Sequence, residues 1–250
     1  MRTYSIHEVA EYAHLHPNTI RLYEQLHFIG NVRRRDNGYR EFDEMHLKQL
    51  DFTRLALRSE VLQNGLRKKA IEIIHLCSDL DFTKALQACS EYQTMIEREI
   101  AHAHSAIDTV EKMLVREVSR EDVQMKRHEV AKYLNTTLDT LRNYELNGLI
   151  KIKRRCNGYR IYDAADLDRL NIIRTLRCAN YSLMSILRLL NQLDEDGCTS
   201  VKDILNTPSK HEDIVSVCDR LLLSLETTRN DAVLMQQRLT LMQQLFQTLQ

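Results

Sequence analysis

Arg33-Arg34-Arg35-Asp36-Asn37-Gly38-Tyr39-Arg40 and Lys153-Arg154-Arg155-Cys156-Asn157-Gly158-Tyr159-Arg160 decide how this chain of 250 residues is read. Each stretch predicts a basic β-hairpin. Asn-Gly is the strongest short hairpin signal, because a type I′ turn needs positive φ at both central residues. Cations on both arms and a Tyr just past the turn make the tip a cationic finger.

The wording recurs outward from the finger. His7-Glu8-Val9-Ala10 returns as His128-Glu129-Val130-Ala131, and Arg21, Tyr23 and Glu24 return as Arg142, Tyr144 and Glu145, all at an offset of 121. Gly38 returns as Gly158, at an offset of 120, so one residue is lost inside the finger. A period of this size is too long for a solenoid and means two copies of a domain. The chain is long enough for two cores of ordinary size.

Only 6 Gly and 2 Pro punctuate the sequence, so the fold is expected to be mostly α. In copy one, Ser5 and Glu8 form a capping box ahead of a first helix reaching about Ala13. His14-Leu15-His16 is the turn, and Pro17 suits the first position of a second helix running to about Gln25. Two short helices, a tight turn and a hairpin give a helix-turn-helix with a wing, the second helix being the candidate reader of a DNA major groove. Further helices are expected over Asp43–Arg58 and Leu62–Leu76. The longest is expected over Thr83–Arg116. There Ile96, Ile100, Ala103, Ile107, Val110 and Leu114 form a heptad seam about 50 Å long that needs a partner helix.

Copy two opens near Val123 with Lys126 where Ser5 stood, so no capping box is expected. Its reading helix is Leu138–Glu145, with Thr137 as N-cap and Asn147-Gly148 as the stop. Helices over Asp163–Arg177 and Ser182–Leu193 follow, and then a looser stretch over Asp194–Pro208. Ser209-Lys210-His211-Glu212 reads as another capping box. A second seam runs behind it through Ile214, Cys218, Leu221, Leu225, Thr228, Ala232, Met235, Leu239, Met242, Phe246 and Leu249. The expected organisation is two tandem winged helix-turn-helix domains, 1–76 and 123–195, followed by long coiled-coil helices at 77–118 and 209–250.

Lys plus Arg and Asp plus Glu number 35 each, so formal net charge is zero. Phosphates answer to local potential, and residues 151–160 hold five cations and no acid. The sequence shows no signal peptide and no long apolar run, which predicts a soluble, cytoplasmic protein with no membrane contact. Cys77, Cys89, Cys156, Cys178, Cys198 and Cys218 stand at no metal-ligand spacing and read as reduced packing residues. No Gly-rich phosphate loop, His-Glu-x-x-His or nucleophile elbow is present, so no enzyme, cofactor or metal centre is expected.

Thr19-Ile20-Arg21-Leu22-Tyr23-Glu24, Thr140-Leu141-Arg142-Asn143-Tyr144-Glu145 and the two Asn-Gly-Tyr-Arg segments resemble the MerR family of bacterial transcription regulators. The resemblance covers both halves. It implies a long helix pairing antiparallel with that of a second subunit. It also implies a promoter with a long spacer, activated by bending and untwisting, and RNA polymerase as a further partner. Leu22 and Asn143 replace the family's first Tyr, and His27-Phe28 replaces the Gly-Leu that copy two keeps as Gly148-Leu149. The family's Pro before the wing is missing from both copies. Copy one is further from the pattern, so unequal affinity of the two halves is expected. The paired-Cys loop of metal-sensing members is absent.

The candidate DNA-binding residues are Thr19, Arg21, Tyr23, Arg33, Arg34, Tyr39 and Arg40, with Thr140, Arg142, Tyr144, Arg154, Arg155, Tyr159 and Arg160. Tyr23 and Tyr144 carry two readings, a phosphate contact or a core role where helix meets wing. Glu24 and Glu145 read as structural, since carboxylates avoid phosphate. His7 and His128 read as fold residues. The expected partner is double-stranded DNA with an imperfectly palindromic operator. It would be bound by a pseudo-dimer within one chain or by a homodimer. Two other functions fit the same residues: an excisionase-like protein that bends DNA architecturally, and a protein-interaction adaptor whose DNA binding has weakened.

Overall fold

The computed structural model describes residues 2–58, 64–115, 123–152, 160–195, 200–207 and 220–249. It forms two compact units, residues 1–98 with 224–250 and residues 99–223. The architecture is mostly α, with eleven helices and two small antiparallel sheets among the described residues.

The first unit opens with α1 (Ile6–Ala13) and α2 (Pro17–Gln25), followed by the hairpin strands β1 (Arg33–Arg34) and β2 (Arg40–Glu41). Then come α3 (Glu44–Leu57), α4 (Leu66–Ser78) and the first part of α5 (Phe82–Val115). Ser5 Oγ accepts from the Glu8 N–H while Glu8 accepts from the Ser5 N–H at 2.7 Å, which completes the expected capping box. Asp43 and His46 cap α3 in the same reciprocal way. Helix α4 starts later than its apolar pattern suggests. Gly65, expected inside it, is its N-cap in the left-handed region at φ 82°, where a side chain would be strained.

The core of this domain is Val9, Ala10, Ile20, Ile29, Phe42, Leu47 and Leu50. Every one has a buried counterpart in the second unit, namely Val130, Ala131, Leu141, Ile150, Tyr162, Leu167 and Leu170. The duplication is therefore one of packing as well as wording. Burying such side chains stabilises each copy by about 1.5–3 kcal/mol per large aliphatic residue. Gln49 ties the chain ahead of the wing to the end of α4. Its Oε1 accepts from the Gly30 N–H at 2.8 Å, and its Nε2 donates to the Cys77 carbonyl at 3.0 Å.

The last helix, α11 (Leu221–Leu249), returns to this unit. Phe82 meets Phe246, Cys89 and Gln93 reach the Ala232 carbonyl, Gln93 bonds Gln236, and Glu97 faces Arg229. From Phe82 to Glu97 on α5 the partners on α11 move back from Phe246 to Arg229, so the two segments run antiparallel. The seam starts earlier than the heptads picked from sequence, since Phe82, Ala85, Cys89 and Tyr92 are buried ahead of Ile96. Arg238 donates to the Asp51 carbonyl at 2.8 Å, and Arg58 faces Asp231, so α11 also braces α3.

The second unit contains β3 (Met125–Lys126), α6 (Arg127–Tyr133), α7 (Leu138–Leu146), β4 (Ile161–Tyr162) and α8 (Ala164–Cys178). These are followed by α9 (Leu183–Asp194) and α10 (Val201–Asn206). Lys126 offers no side-chain oxygen, yet half of the box survives, because Glu129 accepts from the Lys126 N–H at 2.6 Å. The looser stretch after α9 holds one short helix, α10, with Ser200 as N-cap. On α5, Ile100, Ala103, Ile107 and Val110 are buried while Leu114 is exposed. The capping box at 209–212 and the linker 117–122 lie outside the described residues.

Candidate nucleic-acid interface

The reading helices are built alike in the two copies. In α2, Pro17 stands at the first position and His16 Nδ1 accepts from the Asn18 N–H. In α7, Thr137 Oγ1 accepts from the Thr140 N–H at 3.1 Å, and the two hydroxyls meet at 2.8 Å. Thr140 is thus held in the cap, while Thr19 is half-buried on α2. Ile20 and Leu141 face the cores. Asn18, Arg21, Leu22 and Gln25 on α2, and Asp139, Arg142, Asn143 and Leu146 on α7, form exposed faces at helical spacing. Arg21 Nη1 donates to Asn18 Oδ1 at 2.8 Å, which orients the guanidinium along that face.

Both helices end in the same left-handed stop. The His27 N–H donates to the Glu24 carbonyl and Phe28 to that of Tyr23; Gly148 and Leu149 donate to the carbonyls of Glu145 and Tyr144. Copy one carries this turn without a glycine, His27 sitting at φ 53° where Gly148 sits at 75°. The Tyr23 ring packs on Phe28, centroids 5.8 Å apart. Burial raises the pKa of Tyr144 above the ordinary tyrosine value. Both tyrosines are half-buried.

The first wing departs from the expected turn. Gly38 alone takes positive φ, at 81°, and Asn37 does not. The Gly38 N–H donates to the Arg35 carbonyl at 2.8 Å, and Arg35 donates to the Tyr39 carbonyl at 2.9 Å. This is a three-residue loop, a type I turn closed by a left-handed glycine, rather than a two-residue type I′ turn. Asn37 Oδ1 accepts from the Tyr39 N–H, a local bond that stabilises this alternative. The strands pair Arg33 with Glu41 and Arg34 with Arg40. Arg33 and Arg34 are exposed, and Tyr39 is 73% exposed at the tip. Arg35, passed over in the sequence reading, pairs with Glu41 at 3.0 Å and keeps about half of its side chain in solvent. The second fingertip, including Arg154, Arg155 and Tyr159, lies outside the described residues.

Arg40 and Arg160 are placed differently from the other wing cations. Arg40 Nε donates to Glu24 Oε2 at 2.5 Å, and Arg160 donates to Glu145 Oε2 at 2.8 Å. All four side chains are largely buried. Tyr162 adds its hydroxyl to Glu145 at 3.4 Å, and burial pushes the pKa of that phenol up to about 12. Each copy therefore ties the base of its wing to its reading helix by a charge-assisted bond. In sequence these two arginines look like the other finger cations; only the fold brings position 24 beside position 40.

Burial pushes the Cys77 thiol up to about 12 and Cys89 up to about 11, so both stay protonated. Among the described residues, no group of three or more His, Cys, Asp or Glu could hold a metal ion, and no helix is long and apolar enough to cross a membrane.

With this geometry in place, the match to known proteins is specific. The model of the MerR helix-turn-helix family of regulatory proteins matches residues 4–73 and 125–193, more than half of the chain. The chain belongs to that family and carries its domain twice. It is 40% identical over 81 residues to a Haemophilus influenzae protein named "Probable heavy metal-dependent transcriptional regulator", covering 31% of this chain and 63% of the relative. It is 41% identical over 64 residues to the transcriptional regulator ZntR of Escherichia coli, covering 25% and 45%. The nodulation protein NolA of a Bradyrhizobium is 37% identical over 78 residues, covering 31% of each chain. Each match spans less than two thirds of the relative's length. No solved structure matches.

Proposed function

We propose that this protein is a sequence-specific, double-stranded DNA-binding transcription regulator whose two repeats read two half-sites of one operator. The observation that carries this reading is the repeated pairing of an exposed Arg-bearing helix with a basic wing fastened to it. Thr19, Arg21, Thr140 and Arg142 enter the major groove at the two half-sites. Arg33, Arg34 and Tyr39, with Arg154, Arg155 and Tyr159, hold the flanking phosphates. Tyr23 and Tyr144 support the junction. Arg40 and Arg160 already spend their charge on Glu24 and Glu145 and act by holding the wing. A local concentration of cations suffices here despite zero net charge. Binding bends or untwists the promoter, with RNA polymerase as the second partner.

In this reading each half of the chain corresponds to one subunit of the two-subunit regulator that the family resemblance implies. Antiparallel contacts between the first part of α5 and the last part of α11 support this covalent pseudo-dimer. Residues 117–122 can reach only about 20 Å at full extension, which favours antiparallel pairing within one chain. The test is a footprint at low salt on fragments from beside the protein's own gene. Two protected half-sites about one helical turn or a multiple apart are expected. Absence of protection on all such fragments overturns the reading.

A further inference from the structure

The identical stops of α2 and α7 set the two reading helices in one register. Counting back from His27 and Gly148, position 22 on α2 occupies the place of position 143 on α7, five residues before the stop in each copy. The same count aligns Asn18 with Asp139, Arg21 with Arg142, and Gln25 with Leu146. Of these four exposed positions, only the arginine is shared. The buried positions stay apolar and the Arg–Glu wing tie recurs, while three of the four exposed positions on the reading helix change chemistry.

From this, and resting on the DNA reading above, we infer that the two repeats require different bases at equivalent places in their half-sites, with Leu22 and Asn143 as the deciding pair. Leu22 is 48% exposed on a helix whose opposite side already fills the core. A leucine there can neither donate nor accept a hydrogen bond. The base-edge group it suits is the thymine methyl. Asn143 offers the opposite chemistry. Its Oδ1 accepts from the Asn147 carboxamide, which also donates to the Asn143 carbonyl at 2.8 Å. With Oδ1 so engaged, the group left to meet a base edge is the Nδ2 donor. The Nδ2 donor then meets the acceptors of a purine edge, N7 or O6. The shared Arg21 and Arg142 read the same base in both halves, guanine being the usual partner of arginine. The operator is thus an inverted repeat that agrees at the arginine position and differs at the neighbouring one.

The test is selection of bound duplexes from a random pool by the full-length chain, repeated with Leu22→Asn and with Asn143→Leu. Both positions are exposed, so unchanged helical circular dichroism and melting are expected and are checked first. The wild type should enrich an imperfect inverted repeat with thymine in one half and a purine at the matching place in the other. Leu22→Asn should change only the thymine half and make the site more symmetric. Asn143→Leu should change only the purine half. In competition, each variant should prefer its new site over the wild-type site by about five-fold or more, the size of one good base contact. Enriched sites that stay the same in both variants overturn this inference and leave the DNA reading standing. A pool that never enriches overturns the DNA reading and this inference with it.

Discussion

At the scale of single residues, the ties Arg40–Glu24 and Arg160–Glu145 separate two kinds of cation that look alike in sequence. Arg33 and Arg34 are exposed, with no carboxylate among the described residues within salt-bridge distance, whereas Arg40 is neutralised by a carboxylate on the reading helix. A phosphate contact should contribute about 0.9 to the log–log salt slope of binding. Arg33→Ala should therefore flatten the slope by roughly that amount. Arg40→Ala should weaken binding with a much smaller change in slope. Titrations across a salt series decide it, and equal flattening would put Arg40 on a phosphate. His27 gives a second case. A non-glycine residue in the left-handed region costs roughly 1 kcal/mol, partly offset by the greater entropy glycine loses on folding. His27→Gly should raise stability by about 0.5–1 kcal/mol, and Gly148→Ala should lower it by about 1 kcal/mol, read from urea midpoints.

At the scale of elements, caps do more than propensity to place the helices. Asp43 holds the start of α3, and its pKa lies below the ordinary aspartate value because His46 hydrogen-bonds the carboxylate, against an opposing effect of burial. A depressed folded-state pKa contributes stability that is present above the unfolded-state pKa. It is lost as pH falls through the folded value. The stability difference between wild type and Asp43→Asn should thus be constant near neutrality and shrink on acidification below the ordinary aspartate range. Thermal melts at a series of pH values measure it; a difference unchanged down to the most acidic point would show that the carboxylate charge is not what caps α3. The wing belongs to the same scale. Its turn takes three residues rather than two because Asn37 bonds locally to Tyr39, leaving Gly38 as the one left-handed position.

At the scale of the whole molecule, the long helices decide what the chain needs for partners. The α5 segment from Phe82 to Ile96 and the α11 segment from Thr228 to Met242 bury continuous stripes. Pairing inside one chain replaces a bimolecular step by an intramolecular one at high effective concentration. Light scattering across a dilution series should therefore return a mass near 29.4 kDa at every concentration. A stable mass of twice that, bound to DNA as one particle, would mean the helices pair between chains.

The sequence by itself determined the duplication, the order of helices, most caps and the family. Those features rest on local chemistry repeated at a fixed offset: Ser5 with Glu8, Pro17 before α2, Gly148 after α7. It also placed the candidate cations on the wings. Only the tertiary structure decided which of them are already paired. Glu24 and Arg40 lie 16 residues apart and meet because the hairpin folds back on α2. It likewise decided that α11 returns to the first unit, since a heptad seam records that a helix needs a partner without naming which one. The turn of the first wing was settled there too. Asn-Gly permits two kinds of loop, and the choice followed from the local Asn37–Tyr39 bond together with the Arg35–Tyr39 backbone bond, which forms when the strands close.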